Sequence, residues 1–389
     1  MQLESAVTQV QSEPSATGRI VTAAHKRYMQ TKVFGSLDGL RALCCLLVVK
    51  SHADWNTGIR ILDTPSLGVE MFFTISGFLI VTLLLRERDK TGNISLRNFY
   101  ARRSLRIFPI YFTSILSVLL VTSLLVVLHK PGPFLFYRFS FVVLLTYTQD
   151  IIPAALGSFH PCWSLAMEEQ FYLLWPTIEK MSSVAFRWSF LIGVVLVSEM
   201  TNFGVFKDLI TYIYRDPQAI YMPMYLVTFA PIAFGVCLAH ALHTPRGYRI
   251  AYRIVGYRWA SLFWAAVLVI IFRLAPQNVD GFPRLFIHLS LATLLASLVI
   301  REDHFAGRLL KFPLLARIGV ISYGLYLYHQ WFIDFTRKPI ERLIHSLGVP
   351  RISSFLFFAI TCTISIAFAD TSFRWFERPI LQMRSRFRS

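Results

Sequence analysis

An all-α bundle of membrane-spanning helices is the architecture this sequence predicts, with about ten spans and both termini cytoplasmic. Three observations predict it. The chain has 389 residues, of which 55% are hydrophobic, above the roughly 45–50% of an ordinary soluble domain. The excess lies in long runs such as WASLFWAAVLVIIF (259–272) and ISSFLFFAITCTISIAFA (352–369), close to the ~20 residues a helix needs to cross a bilayer. The formal charge of +17 is gathered in short segments between those runs, the pattern that orients membrane proteins with their basic loops inside. Nucleic-acid binding is therefore not expected, although a soluble chain this basic would suggest it.

Eleven apolar runs are candidates for spans: 37–56, 67–85, 107–128, 134–149, 163–178, 184–203, 219–242, 259–275, 282–300, 314–335 and 352–376. Four basic segments, 86–106, 246–258, 301–317 and the C-terminal tail, are expected on the cytoplasmic side. Between 106 and 246 the number of crossings must then be even, yet five runs lie there. The run 134–149 is short and holds Arg138, so it is read as interfacial or re-entrant, which leaves ten spans. Residues 1–33 are polar and read as a disordered cytoplasmic tail without a cleavable leader. Residues 34–380 form the transmembrane domain, and 381–389 are a basic cytoplasmic C-terminal tail. No soluble domain is expected. The five cysteines show no CxxC or Cys/His metal spacing, so neither a disulfide framework nor a metal site is expected.

Ionisable groups inside the apolar runs mark the candidate site, because such groups are costly in a membrane and are by default functional. LRALCCLLVVKSH (40–52) carries Arg41 and His52 eleven residues apart. That is three turns, or about 16 Å of rise, on one helix face, with Arg41 near the inner end and His52 near the outer end. Glu70, in LGVEMFFTISGFLI, and Glu168, in HPCWSLAMEEQFYLLWP, fall at the depth of His52. A histidine beside a carboxylate can serve as a general base with an orienting partner. It can equally be a structural polar network or part of a proton-coupled transporter. On the inner side, Arg102, Arg103 and Arg106 in YARRSLRIFPIYF suit phosphate recognition, or else they set topology and meet lipid headgroups. Lys50 either snorkels outward or enters the site. Tyr323, Tyr326, Tyr328 and His329 in ISYGLYLYHQW read as interfacial belt residues. Ser76 and Gly77 read as a helix-packing point, and His240 and His288 as structural.

The pieces LDGLRALCCLLVVKSH, GVEMFFTISGFLI, ARRSLRIFPIYF, CWSLAMEEQFYLLWP, ISYGLYLYHQ and FRWFERPI, in this order over 37–380, resemble the acyltransferase-3 family of membrane acyltransferases. Arg41 and His52 match the family's Arg, ten residues, His pattern. The resemblance implies that His52 is essential for acyl transfer to a hydroxyl, as general base or acyl carrier. It implies that Arg41, Arg102, Arg103 and Arg106 contact an acyl-CoA donor, and that Glu168, with Glu169 less securely, is the carboxylate of WSLxxE. Two positions depart from the pattern: Glu70 stands where the family usually has Asp, and Lys50 stands where it is usually apolar.

The expectation is an O-acyltransferase of the bacterial inner membrane. It would move an acyl group, most simply acetyl, from cytoplasmic acyl-CoA to a hydroxyl of a cell-surface glycan, lipopolysaccharide, exopolysaccharide or lipid-linked precursor. Glu70 or Glu168 would orient His52, and Tyr323, Tyr326 or His329 would contact the oxyanion or substrate. Membrane lipid is the other expected partner, and no permanently bound cofactor is expected. The rival readings are a transporter of glycan or acyl groups without chemistry and a non-catalytic membrane scaffold.

Overall fold

The computed structural model of the chain describes residues 16–129, 132–151, 156–214, 229–277, 279–347 and 353–387, and among them the regular structure is helical throughout. In chain order the main helices are α1 (Ala16–Gln30), α2 (Gly35–His52), α3 (Pro65–Thr91), α4 (Leu96–Val127), α5 (Gly132–Leu145), α6 (Trp163–Met181), α7 (Val184–Asn202) and α8 (Lys207–Tyr214). They continue with α9 (Phe229–His243), α10 (Pro245–Val255), α11 (Ala260–Leu274), α12 (Phe282–Ile300), α13 (Gly307–Leu310), α14 (Pro313–Val320), α15 (Ser322–Ser346) and α16 (Ser354–Ser372). A π-helical turn, Phe373–Glu377, leads from α16 into α17 (Arg378–Gln382). The apolar runs of the sequence fall largely on helices, the run 314–335 on two of them, α14 and α15; residues 215–228, including the first part of the run 219–242, and residue 352 fall outside the described residues.

Among the described residues five stretches are long and apolar enough to cross a membrane: α3, α4, α7, α12 and the Ser354–Phe387 stretch. A sixth is reached if the bent pair α10 and α11 counts as one. Length and composition therefore support five or six spans where ten were expected, for a physical reason. The remaining helices are short, or they carry the charges. Helix α5 has 14 residues, about 21 Å against a hydrocarbon core of about 30 Å. Helix α2 carries Asp38, Arg41 and Lys50 within 18 residues. Such a helix meets lipid poorly and is wrapped instead by α3, α14 and α15.

The centre of the bundle is the crossing of α3 and α9. A Cβ on Gly77 would come to 2.2 Å from the Ile232 carbonyl oxygen, and a Cβ on Gly235 to 2.2 Å from the Thr74 carbonyl oxygen. Glycine at both positions lets the two backbones touch, which is how membrane helices gain dispersion energy without a hydrophobic driving force. Helix α3 is the most buried of the five long apolar stretches, and α4 exposes Leu116, Leu120, Val121 and Leu124 along its outer flank.

The N-terminal segment departs from the expectation of disorder. Residues 16–30 form α1, with Val21 and Tyr28 buried. Arg86, at the end of α3, donates to the Tyr28 and Thr31 carbonyls at 2.7 and 2.5 Å, and its guanidinium lies over the Tyr28 ring. The composition of 1–33 is polar enough for a tail, but tertiary contacts supply what local hydrophobicity lacks. Residues 1–15 lie outside the described residues. The basic C-terminal segment is also held, since Arg102 Nη1 donates to the Phe387 carbonyl at 2.7 Å.

Gly77→Val and Gly235→Val should each destabilise the protein by about 1–3 kcal/mol or more, the cost of overpacking a close contact. Thermal unfolding in detergent, followed by size-exclusion of the surviving monodisperse fraction, checks this. Gly193→Ala, where a Cβ meets nothing within 4 Å, should be silent.

Candidate functional site

Four helices and the start of a fifth wall an open-mouthed cavity of about 170 Å³. Helix α2 supplies Arg41, and α4 supplies Arg103 and Arg106. Helix α3 supplies Ser76 with an apolar wall of Phe72, Leu79 and Leu83; α6 supplies Ser164, Glu168 and Tyr172; and α15 supplies Ser322, Tyr323 and Tyr326. Ser164, Glu168 and Tyr172 are spaced four apart and so line one face of α6. Glu168 accepts hydrogen bonds from Ser76 Oγ and Tyr172 Oη, both at 2.8 Å. The Arg103 guanidinium stacks over the Tyr172 ring, 4.9 Å from its centroid. Among the described residues neither Arg41 nor Arg106 has a hydrogen-bonded or ion-paired partner. The cavity therefore presents three guanidinium groups to one carboxylate, a surplus that suits a multiply charged anion.

At one end of the cavity the Tyr326 hydroxyl lies 2.8 Å from Ser164 Oγ and 3.2 Å from the Pro161 carbonyl. One turn further along α15 stands His329, fully buried. Its Nδ1 lies 2.6 Å from the Tyr326 carbonyl oxygen, and its Nε2 lies 2.9 Å from His52 Nδ1, the two rings stacked at 5.0 Å between centroids. A carbonyl can only accept, so His329 Nδ1 carries a hydrogen. Among the described residues no carboxylate hydrogen-bonds His329, and an unpaired charge at such a buried site is costly, so the ring is neutral. Its Nε2 must then accept, and His52 Nδ1 must donate. The network thereby assigns the tautomer of His52 and leaves its Nε2 with a free lone pair. Ser158 and Gln330 donate to Asp334 at 2.6 and 2.9 Å.

The sequence-based candidates thus divide. Arg41, Arg103, Arg106, Glu168, Tyr323 and Tyr326 share the cavity. Arg102 does not line it, since its guanidinium pairs with Glu87 at 3.0 Å and holds the C-terminal segment. Neither carboxylate expected beside His52 is its hydrogen-bond partner. Glu168 is committed to Ser76 and Tyr172. Glu70 lies 3.3 Å from Arg284 and 3.8 Å from His288, while His288 also faces Glu199 at 3.5 Å. Equal depth on neighbouring helices, the basis of the expectation, does not fix which way a side chain turns around its own axis. His329, expected as a substrate contact, is instead the group that holds His52. The sequence carried a sign of this, because Tyr326 and His329 are three apart and so adjacent on one helix face. Ser76, Ser164 and Tyr172 were missed because hydroxyls in apolar helices are usually satisfied by their own backbone.

Lys50 turns away from the site. Its ammonium pairs with Asp63, donates to the Leu62 carbonyl at 3.0 Å and faces the Trp55 ring, while Thr57 also donates to Asp63. It pins the loop that joins α2 to α3.

A family model described as an acyltransferase domain matches residues 34–371. The chain belongs to the acyltransferase-3 family. Among curated proteins, this acyltransferase-3 chain is 27% identical over 379 residues to a Staphylococcus aureus protein named as a proposed O-acetyltransferase, covering 92% of this chain and 59% of that protein. It is 26% identical over 379 residues to the peptidoglycan O-acetyltransferase OatA of Listeria monocytogenes, covering 90% of this chain and 56% of that protein. A Bacillus subtilis protein named as a proposed peptidoglycan O-acetyltransferase is 27% identical over 374 residues, of which this chain spans 55%. The chain therefore spans less than two thirds of the length of these relatives. No solved structure matches it.

Glu70→Ala should remove the more buried of the two carboxylates that pair with Arg284, leaving Asp280 at 3.1 Å, and cost about 3 kcal/mol, the low end of the usual penalty for breaking a buried pair. Lys50→Met should cost well under half of that, because Asp63 keeps both Thr57 bonds. Parallel thermal denaturation of the two purified variants checks the order.

Proposed function

We propose that this chain is an integral-membrane O-acyltransferase that moves an acyl group, most simply acetyl, from cytoplasmic acyl-CoA to a hydroxyl of a cell-surface glycan, lipopolysaccharide, exopolysaccharide or lipid-linked precursor. The observation that carries this reading is the hydrogen-bonded series from the Tyr326 carbonyl through His329 to His52, which leaves a basic nitrogen at the far end of the helix that brings Arg41 into the cavity. Family membership supports the reaction class, and the peptidoglycan O-acetyltransferase name of the Listeria relative supports a glycan acceptor. The arrangement we propose has ten spans, with both termini on the cytoplasmic side of a bacterial inner membrane.

In this mechanism the donor phosphates face Arg41, Arg103 and Arg106, where planar guanidinium groups offer paired donors. The acyl-bearing arm runs between α2 and α15 toward Tyr326 and Ser164. The acceptor oxygen attacks the thioester carbonyl carbon as His52 Nε2 takes its proton. The C–S bond then breaks, and the proton passes to the leaving thiolate, giving the ester and free CoA thiol. A second route has Nε2 attack first and carry the acyl group before the acceptor takes it. Both routes use the same lone pair and so the same tautomer. Tyr323 and Tyr326 are the hydroxyl donors for the tetrahedral oxyanion. Glu168 positions Ser76 and Tyr172 and balances the guanidinium charge, in place of the orienting role expected for it. Glu169 is given no step.

Mass spectrometry of surface glycans and lipids from cells with the wild type, with His52→Ala or with no protein tests the reading. An acetyl-sized mass should appear with the wild type alone. Identical spectra in all three, joined by unmodified substrate crossing the membrane, would favour transport over chemistry. In purified protein, His52→Ala should lower kcat by about 10²–10⁴, the span of general-base catalysis. Wild-type rates from a folded His52→Ala protein would sink the proposal. The KM for acetyl-CoA should rise roughly tenfold in Arg106→Gln, the loss of one charge-assisted contact, and stay unchanged in Arg102→Gln.

A further inference from the structure

Helix α10 carries three separate stripes that the proposed reaction does not use. At about 100° per residue, Tyr248 and Val255 fall on one side, and both are buried. Arg246, Arg249 and Arg253 fall together on a second side and are exposed. Ile250 and Ile254 form a third stripe beside the arginines and are 60% and 57% exposed. Among the described residues none of these three arginines has an ion-pair or hydrogen-bond partner.

The helix ends at an elbow. The axes of α10 and α11 differ by 70°, so with α11 along the bilayer normal α10 lies close to the membrane plane. Helix α11 exposes Leu262, Phe263, Val269 and Ile270, the surface of a helix that meets acyl chains. At the elbow Tyr257 and Trp259 stack at 5.5 Å between centroids, and both are about half exposed. Amphipathic aromatic rings at this position are anchors at headgroup level. The core side of α10 is fixed independently, since Tyr248 packs against His25 and Tyr28 of α1 at 4.7 and 5.5 Å. The helix therefore cannot roll to hide its isoleucines.

We propose that α10 is a binding surface for anionic phospholipid headgroups: Ile250, Ile254 and Trp259 enter the acyl boundary, and Arg246, Arg249 and Arg253 take the lipid phosphates from above. The charge complementarity is specific to lipid. A soluble anion would satisfy the arginines and leave the adjoining isoleucines in water, whereas a headgroup with its chains satisfies both stripes at once. This inference does not depend on the proposed acyl transfer.

Hydrogen–deuterium exchange of the full chain in nanodiscs tests it, comparing phosphatidylcholine alone with phosphatidylcholine containing phosphatidylglycerol. In the wild type, peptides covering 245–257 should exchange about fivefold more slowly or better with phosphatidylglycerol, the factor expected for one basic residue at an anionic surface. The triple variant R246Q/R249Q/R253Q should lose that difference while its α3 and α12 peptides exchange as in the wild type. If the triple variant does not fold, R249Q alone should show a partial loss. Equal exchange in the two lipids, or protection that survives the triple substitution, would overturn the proposal. So would full protection by inorganic phosphate in phosphatidylcholine discs, which would assign the arginines to a soluble anion.

Discussion

A charge inside a hydrocarbon slab must be matched or must face a polar space, and the arrangement of this bundle follows from that constraint. Glu179, with no exposure, is surrounded by Arg88, Arg187 and His240. Glu70 is matched by Arg284 and His288, and Lys50 by Asp63. These groups join neighbouring helices or hold a loop, and most are far costlier to remove singly than they would be to replace as pairs. Arg41 and Arg106 have no such partner among the described residues, and both face the cavity. Charges that hold the bundle and arginines that face the cavity thus differ in their partners more than in their depth.

Helix α2 joins two chemistries because it is kept away from lipid. Its two ends are about three turns apart, one in the guanidinium-walled cavity and the other beside His329. Wrapping by α3, α14 and α15 makes such a polar helix tolerable. The Gly77–Gly235 crossing brings α3 close enough for Ser76 and Phe72 to form one wall of the same cavity. Backbone contact at the centre and the site at the flank are therefore parts of one packing solution. A neutral histidine pair, in place of a histidine–carboxylate pair, keeps net charge out of the region between the cavity and His52.

Much of this was legible in the residues themselves. The Arg41–His52 spacing, the arginines ahead of the apolar part of α4 and the motif around Glu168 all lie where the helical repeat puts them. Periodicity reports faces and depths along a single helix. It reports nothing about the rotation of one helix against another, and there the expectations failed. Glu70 and His52 lie at similar depth yet turn toward different neighbours, and Arg102 and Arg103, adjacent in sequence, point to different places. Lys50 looked anomalous only because its partner, Asp63, lies in a loop with no periodicity to place it.

Apolar run length and motif order are one-dimensional quantities, and from them alone follow the helical architecture, the family and the stretch of chain that carries the candidate site. Which ionisable groups hold the bundle and which are left facing the cavity depends on helix packing. It also decided that a histidine, not a carboxylate, holds His52, and that residues 16–30 fold instead of trailing. The His52–His329 pair, the Glu70–Arg284 pair and the docking of residues 16–30 on Arg86 each join residues more than 50 apart in the chain, brought near by helix packing that no local pattern encodes.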